Sequence, residues 1–276
     1  MMDKRVKEIL IKTRRRLFGP NIGNNISTFQ GNGIDFAELR EYTYGDDVRK
    51  INWKATAREQ KPYVNVFNEE RELNIVVGFC VAGSIYFGSV RQKQETMAEI
   101  LALLGFAAIK NSDKISSIFF DEKLDRWFRP SKSPNIVHAA LEYALNLPVL
   151  RRRLDLQRFA DFLLNTIKER SIVLLVGDFL EEADFSWLAA KHELYAVIVR
   201  DPFEESPDLW GEYDLIDPVS GVHHRLRMDA KTIGIHARLL AEHDGKLFEQ
   251  FHKHRIGYTK IATDEDPFLK LREMLK

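Results

Sequence analysis

Leu73–Val81 reads LNIVVGFCV, an almost unbroken apolar run bounded on its N-terminal side by Glu69-Glu70-Arg71-Glu72. Such a run is the pattern of a strand buried on both faces, which is the usual state of a parallel strand covered by helices. The stretches that follow alternate in period. Met97, Ile100, Leu101, Leu104 and Ala108 recur at helical spacing, and Ile115–Phe120 (ISSIFF) reads as a second strand. Ile136, Val137, Ala140, Leu141, Ala144 and Leu145 predict a helix, and Leu156, Phe159, Leu163 and Ile167 another. Ile172–Val176 (IVLLV) and Leu194–Val199 (LYAVIV) are further strands, with a short helix over 187–192 between them. A helix over 232–253, a short strand over 257–261 and a final helix from Phe268 complete the series. Strands alternating with helices of about three turns predict an α/β domain with an open, mostly parallel sheet. In such sheets the functional crevice lies beyond the C-terminal ends of the strands. The loops after Val81, Phe120 and Val176 therefore hold the candidate site.

Composition narrows the function classes. Lysine plus arginine and aspartate plus glutamate both number 41, so the formal net charge is zero and no whole-protein field attracts nucleic acid. The one cysteine, Cys80, rules out an intramolecular disulfide and suits a reducing compartment. No apolar run approaches the ~20 residues of a spanning helix, and the N-terminus lacks the apolar centre of a signal peptide, so a soluble, cytoplasmic protein is expected. Residues 3–18 predict a basic amphipathic helix with Val6, Ile9, Leu10 and Leu17 on one side, stopped near Gly19-Pro20. The division expected is a first module over 1–72, comprising this helix and a loop-rich stretch, and an α/β domain over 73–276.

The loop-rich stretch carries a long pattern: Gly31, Gly33, Asp35, Phe36, Arg40, Tyr42, Gly45-Asp46-Asp47, Arg49, Ile51-Asn52-Trp53 and Ala57-Arg58. Its glycines suit tight irregular turns. Arg40, Arg49 and Arg58 recur among Asp35, Asp46 and Asp47, and bidentate pairing among them would hold a module with few apolar contacts. Trp53 and Tyr42 are expected to supply its small core. The cluster then either braces the module or forms a docking surface for a partner.

This pattern, continued by Glu69-Glu70-Arg71, Gly177-Asp178-Phe179, Asp201-Pro202-Phe203-Glu204 and Asp217-Pro218, resembles a bacterial family known as domain-of-unknown-function family number 58. The resemblance spans about residues 17–230. It implies a von Willebrand factor A-like domain and, as partner, a MoxR-type AAA+ ATPase. Domains of that kind commonly bind a divalent ion through Asp-x-Ser-x-Ser after the first strand, a Thr from a second loop and an Asp from a third. The resemblance sets Cys80 at the Asp position and Ala82 at the first Ser, leaving Ser84, with Asp178 as the third-loop carboxylate and Ser131 or Ser133 standing in for the Thr. A thiol and a methyl group do not replace hard oxygen ligands, so stable Mg²⁺ binding is not expected and no cofactor is assigned.

The expected function is a non-enzymatic interaction or adaptor protein. The chain has no Gly-rich Lys-Ser/Thr loop, no nucleophile elbow and no convergent histidine set. His223-His224 and His252-x-His254 lack a third ligand at a telling spacing. Two alternatives remain: a metal-dependent hydrolase using Asp46 and Asp47 with Glu69 and Glu70, and an anionic-surface binder acting through Lys12–Arg16 and Arg151–Arg153.

Overall fold

Helix α1 (Lys4–Phe18) buries Val6, Leu10, Thr13 and Leu17 along one side and leaves most of its basic residues outward. Its partners lie in the α/β unit: Lys12 pairs with Glu99 at 2.6 Å, Arg16 pairs with Asp266, and the Leu17 carbonyl accepts from Lys110 Nζ. The computed structural model describes residues 4–18, 36–67 and 72–275, and these form two units that part at Leu73 and Asn74. The helix thus belongs to the α/β unit, where the sequence reading grouped it with the first module. Its apolar side found a larger surface to cover than the loop-rich stretch provides.

The smaller unit is more regular than its composition predicts. Strands β1 (Phe36–Glu41) and β2 (Tyr63–Phe67) pair antiparallel. Between them lie a 3-10 turn (Val48–Lys50) capped by Asp47 and a two-turn helix α2 (Trp53–Glu59) capped by Asn52.

The larger unit is built on six strands: β3 (Asn74–Cys80), β4 (Lys114–Phe120), β5 (Leu124–Ser131), β6 (Ile172–Gly177), β7 (Glu193–Arg200) and β10 (Gly257–Ala262). Their order is β10-β7-β6-β3-β4-β5, parallel except for the edge strand β5. The chain winds one way from β3 to β5 and the other way from β6 to β10, the doubly wound arrangement. Its α/β class and mostly parallel sheet are those predicted. Helices α3 (Lys93–Lys110) and α4 (Pro134–Asn146) cover one face with α1. On the other face α5 (Leu156–Thr166) and α6 (Ser186–Lys191) pack onto the sheet, as does α8 (Ala230–Lys253), which follows the single turn α7 (Pro202–Glu205). There Phe159, Leu163, Phe185 and Phe251 close the core over Val76, Ile118, Val173 and Leu175. Helix α9 (Pro267–Met274) follows β10.

The edge strand and the hairpin of this unit were not predicted. Strand β5 (LDRWFRPS) is half-exposed, and its alternation is too irregular to stand out. The hairpin β8 (Gly211–Ile216) and β9 (His223–Met228) is exposed on most positions, so it has no buried face to leave a period in the sequence.

Candidate functional site

The winding reverses between β3 and β6, so the crevice opens where residues 81–84 and 177–179 leave the sheet. Its strands approach closely: a side-chain carbon on Gly177 would lie 2.6 Å from Cys80 Cβ, so the bulk of Cys80 fits only because Gly177 has none. At Gly83 an added carbon would lie 2.1 Å from the Pro218 carbonyl oxygen. That contact, with the bond from Arg151 N–H to the same oxygen at 2.8 Å, fixes the turn between β8 and β9 beside the crevice.

The centre of the crevice is an ammonium group. Lys93, at the first turn of α3, is fully buried and places Nζ 3.1 Å from Asp178 Oδ2 and 2.6 Å from Glu204 Oε1. Ser84, in the turn Gly83–Tyr86, lies on the same crevice. Burial alone would raise the Asp178 carboxyl, but Lys93, Ser84 and Arg200 outweigh it and hold the group below its ordinary value. Glu204 reaches back with its other oxygen to the Asp201 N–H at 3.1 Å, closing a capping box at the start of α7. Asp201 accepts from Ser89 N and Oγ (2.8 and 2.7 Å), Phe203 N (3.0 Å) and Thr263 Oγ1. Buried Arg200 pairs with Asp244 at 3.1 Å, and Lys260 reaches Asp244 at 3.0 Å and also Glu205.

The residues do not fit a divalent ion. The point on which the Asp178 and Glu204 oxygens converge is held by the chain's own ammonium. The Cys80 thiol is buried, and its desolvation, with Asp178 beside it, pushes its pKa far up, away from the thiolate that ligates metals. Ala82 is buried and offers no ligand. Ser131 ends the edge strand β5, and Ser133 caps α4 by accepting the Asn135 N–H, so neither serves the crevice.

In the signature module the structure joins part of the expected cluster. Arg40 donates to Asp46 at 2.8 Å and to Thr43 Oγ1 at 2.9 Å. Asp46 also accepts the Thr43 N–H and hydroxyl at 2.8 and 2.9 Å; these bonds, with Arg40, keep its carboxyl below the ordinary value. Gly45 takes φ +106°, which the turn between Thr43 and Asp46 requires. Arg49 grips Asp47 through Nε and a terminal nitrogen, both at 3.2 Å. Arg58 turns away to Glu59 at 3.0 Å, and Gly31, Gly33, Asp35, Glu69 and Glu70 lie outside the described residues.

The expected core of this module is corrected. Trp53 is 70% exposed and Tyr42 only half-buried, while Val64 of β2 is buried. Trp53 opens α2, a helix of seven residues, and its ring is left largely uncovered by the described residues. Of the basic stretches read as an alternative anionic-surface contact, Lys12 and Arg16 are in ion pairs, and Arg152 is held by Asp121 and Asp125 at 3.3 and 2.9 Å.

Sequence reading missed Lys93, Glu204 and Arg200. Lys93 left a faint signal, since a cation in the first turn of a helix opposes the macrodipole and needs a nearby anion. Glu204 left a clearer one in the Asp201-Pro202-Phe203-Glu204 capping pattern. Arg200 ends an apolar strand and carries no local mark.

The geometry defines a doubly wound α/β domain whose switch point is filled by an internal lysine, joined in sequence to a small polar signature module. Residues 38–243 match the family described as Protein of unknown function DUF58, and the chain belongs to that family. Over 271 residues it is 25% identical to the uncharacterized protein Rv1480 of Mycobacterium tuberculosis H37Rv and to Mb1516 of Mycobacterium bovis, covering 95% of this chain and 84% of each relative. Among solved structures it is similar to the conserved hypothetical protein BatB from Bacteroides thetaiotaomicron, with a TM-score of 0.45 and 9% identity over 74% of this chain and 97% of that one. It is also similar to an aerotolerance-related membrane protein from Bacteroides fragilis, with a TM-score of 0.43 and 10% identity over 74% of this chain and 96% of that one. Among the described residues no helix is long and apolar enough to cross a membrane.

Proposed function

We propose that this chain is a non-enzymatic interaction protein whose signature module docks a protein partner through Trp53 and its neighbours. The observation that carries the reading is the exposure of Trp53 (70%), Tyr44 and Val48 on a unit already held together by Arg40–Asp46 and the Asp47 and Asn52 caps. Tryptophan and tyrosine standing exposed are residue types enriched in interface hot spots. The polar cluster is therefore the brace, and the apolar side chains standing out of it are the contact. Following the family resemblance, the partner is a MoxR-type AAA+ ATPase, acting with this chain in the cytoplasm during assembly or maturation of another protein complex. Because Lys93 supplies the crevice with its cation, docking needs no metal on this chain.

The test is an affinity pull-down of tagged wild-type and Trp53→Ala protein from the native cells, each with and without EDTA. The reading expects an AAA+ ATPase with wild type and its loss with Trp53→Ala, whose unfolding transition stays at the wild-type position. Equal recovery by a folded Trp53→Ala protein would remove Trp53 from the interface. No ATPase in any eluate would remove the named partner.

A further inference from the structure

We infer that the α/β unit holds a second recognition site, a pocket beside the Lys93 crevice that takes an apolar protein segment bearing an arginine or lysine. The site lies wholly within this unit and stands independently of the role proposed for the signature module. The pocket has a volume of about 530 Å³, inside the roughly 300–1,000 Å³ range of sites that enclose a ligand. Its walls come from Phe87, Leu180, Phe203, Leu215, Leu226 and Leu240, and Ser84, Arg200 and Glu204 line it beside the crevice.

Charge chooses the occupant. The charged side chains that line the pocket are one cation, Arg200, and two carboxylates, Glu204 and Asp217. The lining is therefore net negative. Arg200 is buried, with a terminal nitrogen on Asp244 and an unpartnered Nε that is itself enclosed, so among the described lining residues no exposed cation meets an anionic ligand. Two carboxylates line the pocket. Asp217 is taken up by its own turn, accepting from Val219 N, Ser220 N and Ser220 Oγ. Glu204 is 21% exposed, and each of its oxygens makes a single bond, so each retains acceptor capacity. His236, whose ring N–H is donated to the Glu204 carbonyl, stands beside it with no negative charge to add. A guanidinium or ammonium entering along the apolar walls reaches Glu204 while its methylene stem covers leucine and phenylalanine, the usual way long cations bury their stems. Glu204, held from behind by Lys93, thus presents its carboxylate to the pocket and gives it a preference for positive partners.

The probes are three capped tripeptides, Leu-Arg-Phe, Leu-Gln-Phe and Leu-Glu-Phe, titrated into isotope-labelled full chain and followed by amide chemical shifts. The arginine peptide is expected to bind about tenfold more tightly than the glutamate peptide, with shifts at Ser84, Leu215 and His236. In Glu204→Gln, which keeps an acceptor for Lys93, the ranking should collapse. Leu215→Ala, at a partly exposed position, should weaken all three peptides without reordering them. Raised salt gives an arm that needs no variant, because it should erode the advantage of the arginine peptide. Trp53→Ala should leave the ranking unchanged. The inference is overturned if the glutamate peptide binds as well as the arginine peptide, if the ranking survives in folded Glu204→Gln, or if none of the peptides perturbs the pocket at millimolar concentration.

Discussion

The α/β unit and the signature module solve the problem of stability in opposite ways. In the first, buried aromatic and aliphatic side chains close both faces of the sheet, and its charges, Lys93, Asp178 and Arg200, are buried with them. In the second, Val64 is buried, while Arg40, Asp46, Asp47 and Arg49 pair at the surface. A buried ion pair makes each partner necessary to the other, because removing one strands the other in a poorly solvated site. A surface pair leaves its members water as an alternative, and its loss is correspondingly mild. Similar residue types therefore carry different consequences in the two regions.

The sharpest break of this comparison is Lys93→Met. It leaves Asp178 and Glu204 converging on an apolar side chain, and the expected destabilisation is about 3–5 kcal/mol, read by chemical denaturation. Adding Asp178→Asn removes the stranded charge and should recover much of that loss. A single variant as stable as wild type would mean that the ammonium does not hold the carboxylates together.

A second test concerns pH. His192 is buried at the C-terminal end of α6, accepts the Ser171 N–H on Nδ1 at 3.2 Å, and among the described residues has no partner for its buried Nε2. Burial, helped by Lys191 and Arg170, lowers its pKa from 6.5 to about 4. The unfolded chain then binds the proton more readily than the folded one. This contribution is complete above pH 6.5 and is lost as pH falls toward 4, with a total on the order of 2–3 kcal/mol. The slope of stability against pH over that window should shrink in His192→Gln; an unchanged slope would assign the acid sensitivity to other groups.

How far these differences were legible depended on burial. Continuous apolar runs such as those of β3 and β6 are strands covered on both faces, so sheet class and crevice position followed from the sequence. Lys93 was not legible, because a lysine in a sequence reads as solvated until a fold brings Asp178, 85 residues away, against it. Trp53 was misread for the converse reason: its size argues for a core, but whether a second layer exists to cover it is a tertiary fact. The hairpin β8–β9 has little buried surface and so left no pattern, although Asp217-Pro218 marked its turn. The same contrast sets the next expectation. Trp53→Ala should change stability by no more than about 0.5 kcal/mol, because the ring covers little of the module. A larger loss would return Trp53 to the core.

The smallest expected effect belongs to Arg49. The sequence alone makes it a central member of the signature, so that its loss should unfold the module or abolish docking. In the structure its side chain is 87% exposed, and the bond that shapes the turn runs from its backbone N–H to Asp47 Oδ1 at 3.0 Å. Arg49→Ala keeps that N–H, the Asp47 cap and the Arg40–Asp46 pair, so limited proteolysis of the module should proceed at the wild-type rate. Asp47→Ala removes the acceptor that caps the 3-10 turn, and the module should then be cut faster. If Arg49→Ala is cut as fast as Asp47→Ala, the guanidinium itself holds the turn, and surface pairing braces this module more strongly than exposure implies. If Arg49→Ala resists protease but no longer retains the partner, Arg49 joins Trp53 as part of the contact, and the pair with Asp47 serves to aim the arginine outward.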